Sequence, residues 1–199
     1  MPARTALPTD VRREVLDAAL DIIASEGPDA VSMREVARRA GVSHQAPYHY
    51  FGDRAGIFAA ITEEGFTEFA RVLREVLASP DPLASSLRAY VNFAFSHLGH
   101  FKVMFRSDIC GISENLDAAT AANDAFDVVT AIARAINKHD VVGDEALLLP
   151  TLMWSQAHGL ATLLIDGPLR RKLPADLSIE QILSFVEPIF IRSIYAASK

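Results

Sequence analysis

Ser43, His44, Gln45, Tyr48 and His49 fall within seven consecutive positions, directly after Ala40-Gly41-Val42. Short polar side chains grouped at the start of a helix can exchange hydrogen bonds with base edges in a duplex groove. Gln45 carries the paired donor and acceptor that matches adenine, and His44 suits a base edge or a phosphate. Tyr48 and His49 have the reach for backbone phosphates. Ser32 and Arg54 stand at the starts of neighbouring helices, where free amide groups attract anions. Arg54 would offer its cation to a phosphate. In this reading phosphate contacts set position, while Gln45 and its neighbours discriminate. Arg38 and Arg39 read as a solvated helix face, with phosphate contact as the alternative. Arg4, on a loose arm spanning Met1 to Asp10, has the reach for a minor groove.

The elements that must position these groups can be read from spacing. Val11, Val15, Ala18 and Ile22 recur at helical intervals and predict a helix from Thr9 to Glu26, stopped by Gly27-Pro28. Ser32 and Glu35 form a capping box with two reciprocal bonds, opening a helix that ends at Gly41. Ser43 is read as the cap of the next helix, Ser43 to Phe51, which places Pro47 at its fourth position. There a proline costs one hydrogen bond and distorts the helix slightly. Tyr50 and Phe51 read as core. Asp53 caps a long helix from Arg54 to Ser79. Two short helices around a tight Ala40–Ser43 turn are a helix-turn-helix arrangement.

The stretch Met33–Ile57, MREVARRAGVSHQAPYHYFGDRAGI, resembles the DNA-binding domain of the tetracycline-repressor (TetR) family of bacterial transcription regulators. Val36-Ala37, Ala40-Gly41-Val42-Ser43 and Tyr48-His49-Tyr50-Phe51 carry the resemblance. Arg54 departs from it, since the family usually has Lys there, and so does Gly56, where a strong helix former is expected. Trp154-Ser155-Gln156-Ala157-His158-Gly159 and Phe101-Lys102-Val103-Met104-Phe105 resemble the C-terminal half of the family's WHG subgroup. The resemblance implies an all-α fold: a three-helix DNA-binding domain at 9–70, then a helical effector-binding and dimerisation domain at 71–199.

Beyond Ser79-Pro80-Asp81-Pro82 the periodicity stays helical over 83–97, 101–105, 116–139, 145–166 and 179–197, with no strand alternation. Phe93, Phe95, Phe101, Met104, Phe105, Phe126 and Trp154 offer walls for a small, largely apolar effector. Of these, Phe101, Met104, Phe105 and Trp154, with His158, are the candidate ligand residues, although such stripes also serve as plain core. Pro150 predicts a kink near Ala146 that opens space beside Trp154. A single short recognition helix reads few base pairs, so a homodimer on a palindromic operator is expected. The last two long helices would form its interface, with Ser155, Ala157, Gly159 and Thr162 allowing close approach.

Composition narrows the alternatives. The 199 residues are 50% hydrophobic and 22% charged, with a net charge of −6, which fits a folded globular chain and argues against nonspecific coating of nucleic acid. Residues 1–60 are nearly neutral, with seven arginines against eight acidic residues. No apolar run is long enough to cross a membrane, and no signal peptide is apparent. Cys110 is alone, which excludes a disulfide scaffold and suggests the cytoplasm. No G-x-S-x-G, phosphate loop or dinucleotide fingerprint occurs, so an enzyme is not expected and no cofactor is implied. His97 and His100 lack a second ligand pair, so no metal is expected. The expected protein is a ligand-responsive DNA-binding regulator, a repressor by family default. A helical interaction or sensor module without DNA binding is the alternative.

Overall fold

A computed structural model describes residues 8–136 and 146–198. The Arg4 arm, Gly143 and the expected helix start at Glu145 lie outside the described residues. All regular elements among the described residues are helical. They are α1 (Pro8–Glu26), α2 (Met33–Ala40), α3 (Ala46–Phe51), α4 (Arg54–Leu77), α5 (Pro82–Ser96), α6 (Leu98–Met104), α7 (Leu116–Ile136), α8 (Leu148–Ile165), α9 (Pro168–Lys172) and α10 (Ile179–Ala197), with a 3₁₀ turn at Pro28–Ala30.

The chain forms two compact units: Met1–Phe66 with His97–Ala122, and Thr67–Ser96 with Asn123–Lys199. This differs from a single cut near residue 70, because α6 returns to the first unit. Gly99 permits that return. A Cβ there would lie 2.8 Å from the Leu20 carbonyl oxygen of α1, so only glycine allows the approach. Lys102 then donates to the Ala24 carbonyl at 3.2 Å.

The first unit is built on the predicted stripe of α1. Val15, Leu16, Ala19, Ile22 and Ile23 pack with Val36 of α2, Ile57, Phe58 and Ile61 of α4, and Val103 of α6. The Ser32 hydroxyl caps α2 by accepting from the Glu35 N–H at 3.2 Å. The Glu35 carboxylate, expected to complete a capping box, is instead gripped by Arg38 and Arg39, stronger charged donors than one backbone amide. Gly41, at φ 68°, ends α2 in the left-handed region, and its N–H bonds back to Ala37 and Arg38.

α3 corrects its expected start. It begins at Ala46, with Gln45 at the cap position and no side-chain cap bond, rather than at Ser43. Pro47 supplies the reason. A helix opening at Ala46 puts the proline in the first turn, where its missing N–H has no partner to lose. Ser43 contributes its carbonyl, which accepts from Ala46 N–H at 3.0 Å. Asp53 caps α4 as expected, its Oδ1 accepting from Gly56 N–H at 2.9 Å.

In the second unit α5, α8 and α10 pack with the C-terminal parts of α4 and α7. Phe69 is its aromatic centre, with ring centroids 5.0 Å from Tyr90, 4.9 Å from Phe93 and 6.0 Å from Trp154. A full capping box, Ser178 with Gln181, opens α10. Arg88 of α5 forks to Glu180 and Glu187 of α10 at 2.5 and 2.6 Å. Pro150 does not produce the expected kink. α8 opens at Leu148, so this proline also sits in a first turn. Pro188 lies inside α10.

Candidate nucleic-acid interface and ligand cavity

The start of α2, the turn after it and the front of α3 leave polar side chains in solvent. Ser32, Ser43, His44, Gln45, Tyr48 and His49 are all exposed, and Tyr48 keeps 50% of its surface. Below them Pro47 is buried, so α3 lies on the core by its back and presents its front. Half-exposed Tyr50 stands edge-on to His49, with centroids 4.9 Å apart. Phe51 packs partly buried against the core, under the Arg12 guanidinium at 5.2 Å from its centroid. Spacing alone gives no sign of that Arg12 contact, which joins α1 to the end of α3.

The local charges are partly spent. Arg38 and Arg39 share Glu35, and Arg39 also pairs with Glu26. Their donation holds the Glu35 carboxyl at about 2, well below the usual carboxylate range. The Arg54 side chain is 42% exposed, and part of its fork is engaged. Its Nη2 donates to the Pro28 carbonyl at 2.8 Å, and its guanidinium lies 4.8 Å over the Phe58 ring.

Inside the first unit, Glu64 of α4 accepts from Arg13 of α1 at 2.6 Å and meets His100 Nε2 of α6 at 3.1 Å. These partners, His100 first, hold its carboxyl at about 2. Among the described residues no group of His, Cys, Asp and Glu is arranged to hold a metal ion. Cys110 is buried.

Of the five candidate ligand residues, three belong to the first unit and two, Trp154 and His158, to the second. Phe101 and Met104 are buried in the first unit, where Phe105 packs edge-on to Phe66 and Phe101 at 5.3 and 5.4 Å. Trp154 lines a cavity within the second unit, of about 20 Å³, enough for about one water molecule. Leu73, Ser86, Tyr90, Met153 and Phe190 also form its wall. His158 stands behind it, its Nδ1 2.9 Å from the Tyr90 hydroxyl. Burial pushes the Tyr90 hydroxyl pKa up and the His158 pKa down, so both favour their neutral forms. Sequence reasoning misses Tyr90, because a tyrosine among apolar residues looks like ordinary core; only the packing of α5 beside α8 pairs it with His158.

The last two long helices carry exposed apolar side chains. They are Leu148 and Leu163 on α8, and Phe185, Ile189 and Tyr195 on α10, with Phe185 at 74% exposure. Ser155 is exposed, and a Cβ at Gly159 would meet nothing within 4 Å. Ala157 is 4% exposed and faces the cavity, which corrects its expected place between subunits.

A glycine-cornered pair of short helices, with an exposed polar second helix on a three-helix core, defines a helix-turn-helix protein. The chain belongs to the tetR family of bacterial regulatory proteins. Residues 15–61 match that family and residues 83–186 match the tetracyclin repressor-like C-terminal domain. Among curated relatives, the transcriptional activator FasR of Mycolicibacterium smegmatis is 29% identical over 107 residues, 51% of this chain and 49% of that one. The transcriptional repressor AcnR of Corynebacterium glutamicum is 32% identical over 68 residues, 34% of this chain and 36% of that one. These alignments span half or less of each relative. The solved structure of the TetR family transcriptional regulator PfmR from Thermus thermophilus shares the fold, with a TM-score of 0.66 at 19% identity over 91% of this chain and 95% of that one. Among the described residues no helix is long and apolar enough to cross a membrane.

Proposed function

We propose that this protein is a DNA-binding transcriptional regulator. It would engage a palindromic operator as a homodimer and respond to a small, uncharged, largely apolar effector. The observation that carries the reading is the exposed run Ser43, His44, Gln45, Tyr48 and His49, which leads into and along a helix anchored from behind by Pro47. Gln45, at the mouth of α3, reads an adenine edge, while Ser32, Tyr48 and His49 meet phosphates. The exposed apolar faces of α8 and α10 fit a second copy of the chain, whose α3 would supply the other half-site. The cavity wall of the second unit carries no charged residue, so a charged effector would lose its hydration without a partner. The small cavity volume means that an effector larger than water must push the wall apart. Similarity extends to both an activator and a repressor.

The test is selection of bound fragments from genomic DNA, followed by titration of the selected duplex at several salt concentrations. Two chains per duplex and an affinity falling steeply with salt are expected. Gln45→Ala is expected to relax preference at one position per half-site by about 1–3 kcal/mol. If no duplex is selected, the interaction-module alternative takes its place. If Gln45→Ala weakens all sequences equally, the base-reading role is wrong.

A further inference from the structure

We infer that the cavity of the second unit selects a neutral hydroxyl compound, an alcohol or phenol with an apolar body, and that Tyr90 reads its hydroxyl; the inference deepens the effector reading above and rests on it. The polar side-chain atoms of the cavity wall belong to Ser86, Tyr90 and Trp154, and the rest of the lining is apolar. Tyr90 is 3% exposed and Ser86 8%, so neither hydroxyl can turn to bulk solvent for a partner. What the wall can offer a ligand is therefore decided by where these protons already point.

The Ser86 hydroxyl donates to the Leu83 carbonyl at 2.8 Å. The Trp154 side chain bonds the Tyr90 hydroxyl; an indole N–H only donates, so the phenolic oxygen accepts there. On its other side Tyr90 Oη stands 2.9 Å from His158 Nδ1. Burial favours the neutral His158 ring. Nδ1 then accepts the phenolic proton, and Nε2 carries the ring proton towards Thr162 Oγ1, 3.4 Å away. The bonds from Trp154 through Tyr90 and His158 to Thr162 thus run in one direction, and each strengthens the next. Both wall hydroxyls have their protons committed and keep lone pairs. A ligand hydroxyl can donate to such a wall. A ketone or ether brings one more acceptor and finds no proton, and an ion finds no counter-charge. His158 stands behind the wall and is a positioning residue, because it draws the Tyr90 proton away from the cavity. Met153, a flexible wall side chain, lets the space open around the apolar body of the ligand.

Trp154 is the single tryptophan of the chain, so its fluorescence reports on the cavity wall directly. The test titrates the full chain with cyclohexanol and with cyclohexanone, two neutral rings of similar size that differ in whether they bring a proton. The ratio of the two affinities in wild type is compared with the ratio in each variant, which cancels the different hydration of the probes. Relative to Tyr90→Phe, the wild-type protein is expected to favour cyclohexanol by about fivefold, the worth of one neutral hydrogen bond. His158→Leu leaves the wall intact and removes the acceptor of the Tyr90 proton. It is expected to shift the ratio towards cyclohexanone, an effect that a merely structural role for His158 does not produce. Should His158→Leu fail to fold, the Tyr90→Phe comparison decides. A ratio unchanged by Tyr90→Phe, or a wild-type protein that favours the ketone relative to that variant, overturns the inference and leaves the effector reading standing, since both probes still bind. If neither compound alters the Trp154 emission or the thermal midpoint, the cavity admits no such ligand, and the effector reading falls together with the inference.

Discussion

Gln45 stands in solvent at the mouth of a six-residue helix, whereas Tyr90 is buried in the middle of a fifteen-residue one. The two residues represent the two units. In the first, the candidate chemistry lies on short elements whose ends are set by neighbours in sequence: Ser32, Gly41, Pro47 and Asp53. In the second it lies within long helices, whose inward faces are chosen by other helices far away in the chain. A local signal can therefore specify the first site, while the second exists only once α5, α8 and α10 have packed.

Three perturbations can break or sharpen that contrast. The largest effect is expected in the second unit. Phe69 is 1% exposed and touches three other rings, so Phe69→Ala should cost about 3–5 kcal/mol. Hydrogen exchange should quicken in α5, α8 and α10 while the amides of α1 to α3 keep their protection. Equal acceleration throughout would show that the two units share one cooperative core.

Next comes the corner of the first unit. Gly56→Ala forces a Cβ against the Phe51 carbonyl oxygen and should cost about 1–3 kcal/mol or more. Its expected signature is the reverse one, with exchange quickened around α3 and the start of α4 and the second unit unchanged. An alanine accepted without loss in a denaturant titration would mean that the corner gives way easily.

The smallest effects concern acid. Glu64 is held at about 2 in the folded protein against an ordinary 4.5. It therefore stabilises the first unit above about pH 4.5, and that contribution drains away as pH falls towards 2. His158 is held below its ordinary 6.5 by burial, so the unfolded chain takes up protons first. Stability of the second unit should decline as pH drops below about 6.5. Denaturation midpoints across pH should lose the lower dependence in Glu64→Gln and the higher one in His158→Gln. A single shared dependence, indifferent to both substitutions, would count against this assignment.

Much of the fold is readable because helical periodicity and end signals are local. Spacing alone places α10 from Ile179 to Ala197, and α1 and α2 within a residue of their ends. At two of the places where pattern and structure part, a proline is responsible. The apolar pattern puts Pro47 and Pro150 inside helices, yet each lies in a first turn because the helix starts later than the pattern. Arg54 does head α4 as its spacing implies, but its partner at Pro28 is 26 positions away. Phe101 and Met104 share the apolar character of Trp154, yet they pack in the other unit.

The sequence by itself determined the helices, the glycine corner and the polar mouth of α3, because each depends on residues within about one turn of one another. Tertiary structure alone decided that Arg54 bonds the Pro28 carbonyl, that α6 closes on α1 at Gly99, and that Tyr90 meets His158 beside Trp154. Those outcomes depend on which surfaces are pressed together, and a burial preference names a residue as apolar without naming its neighbour.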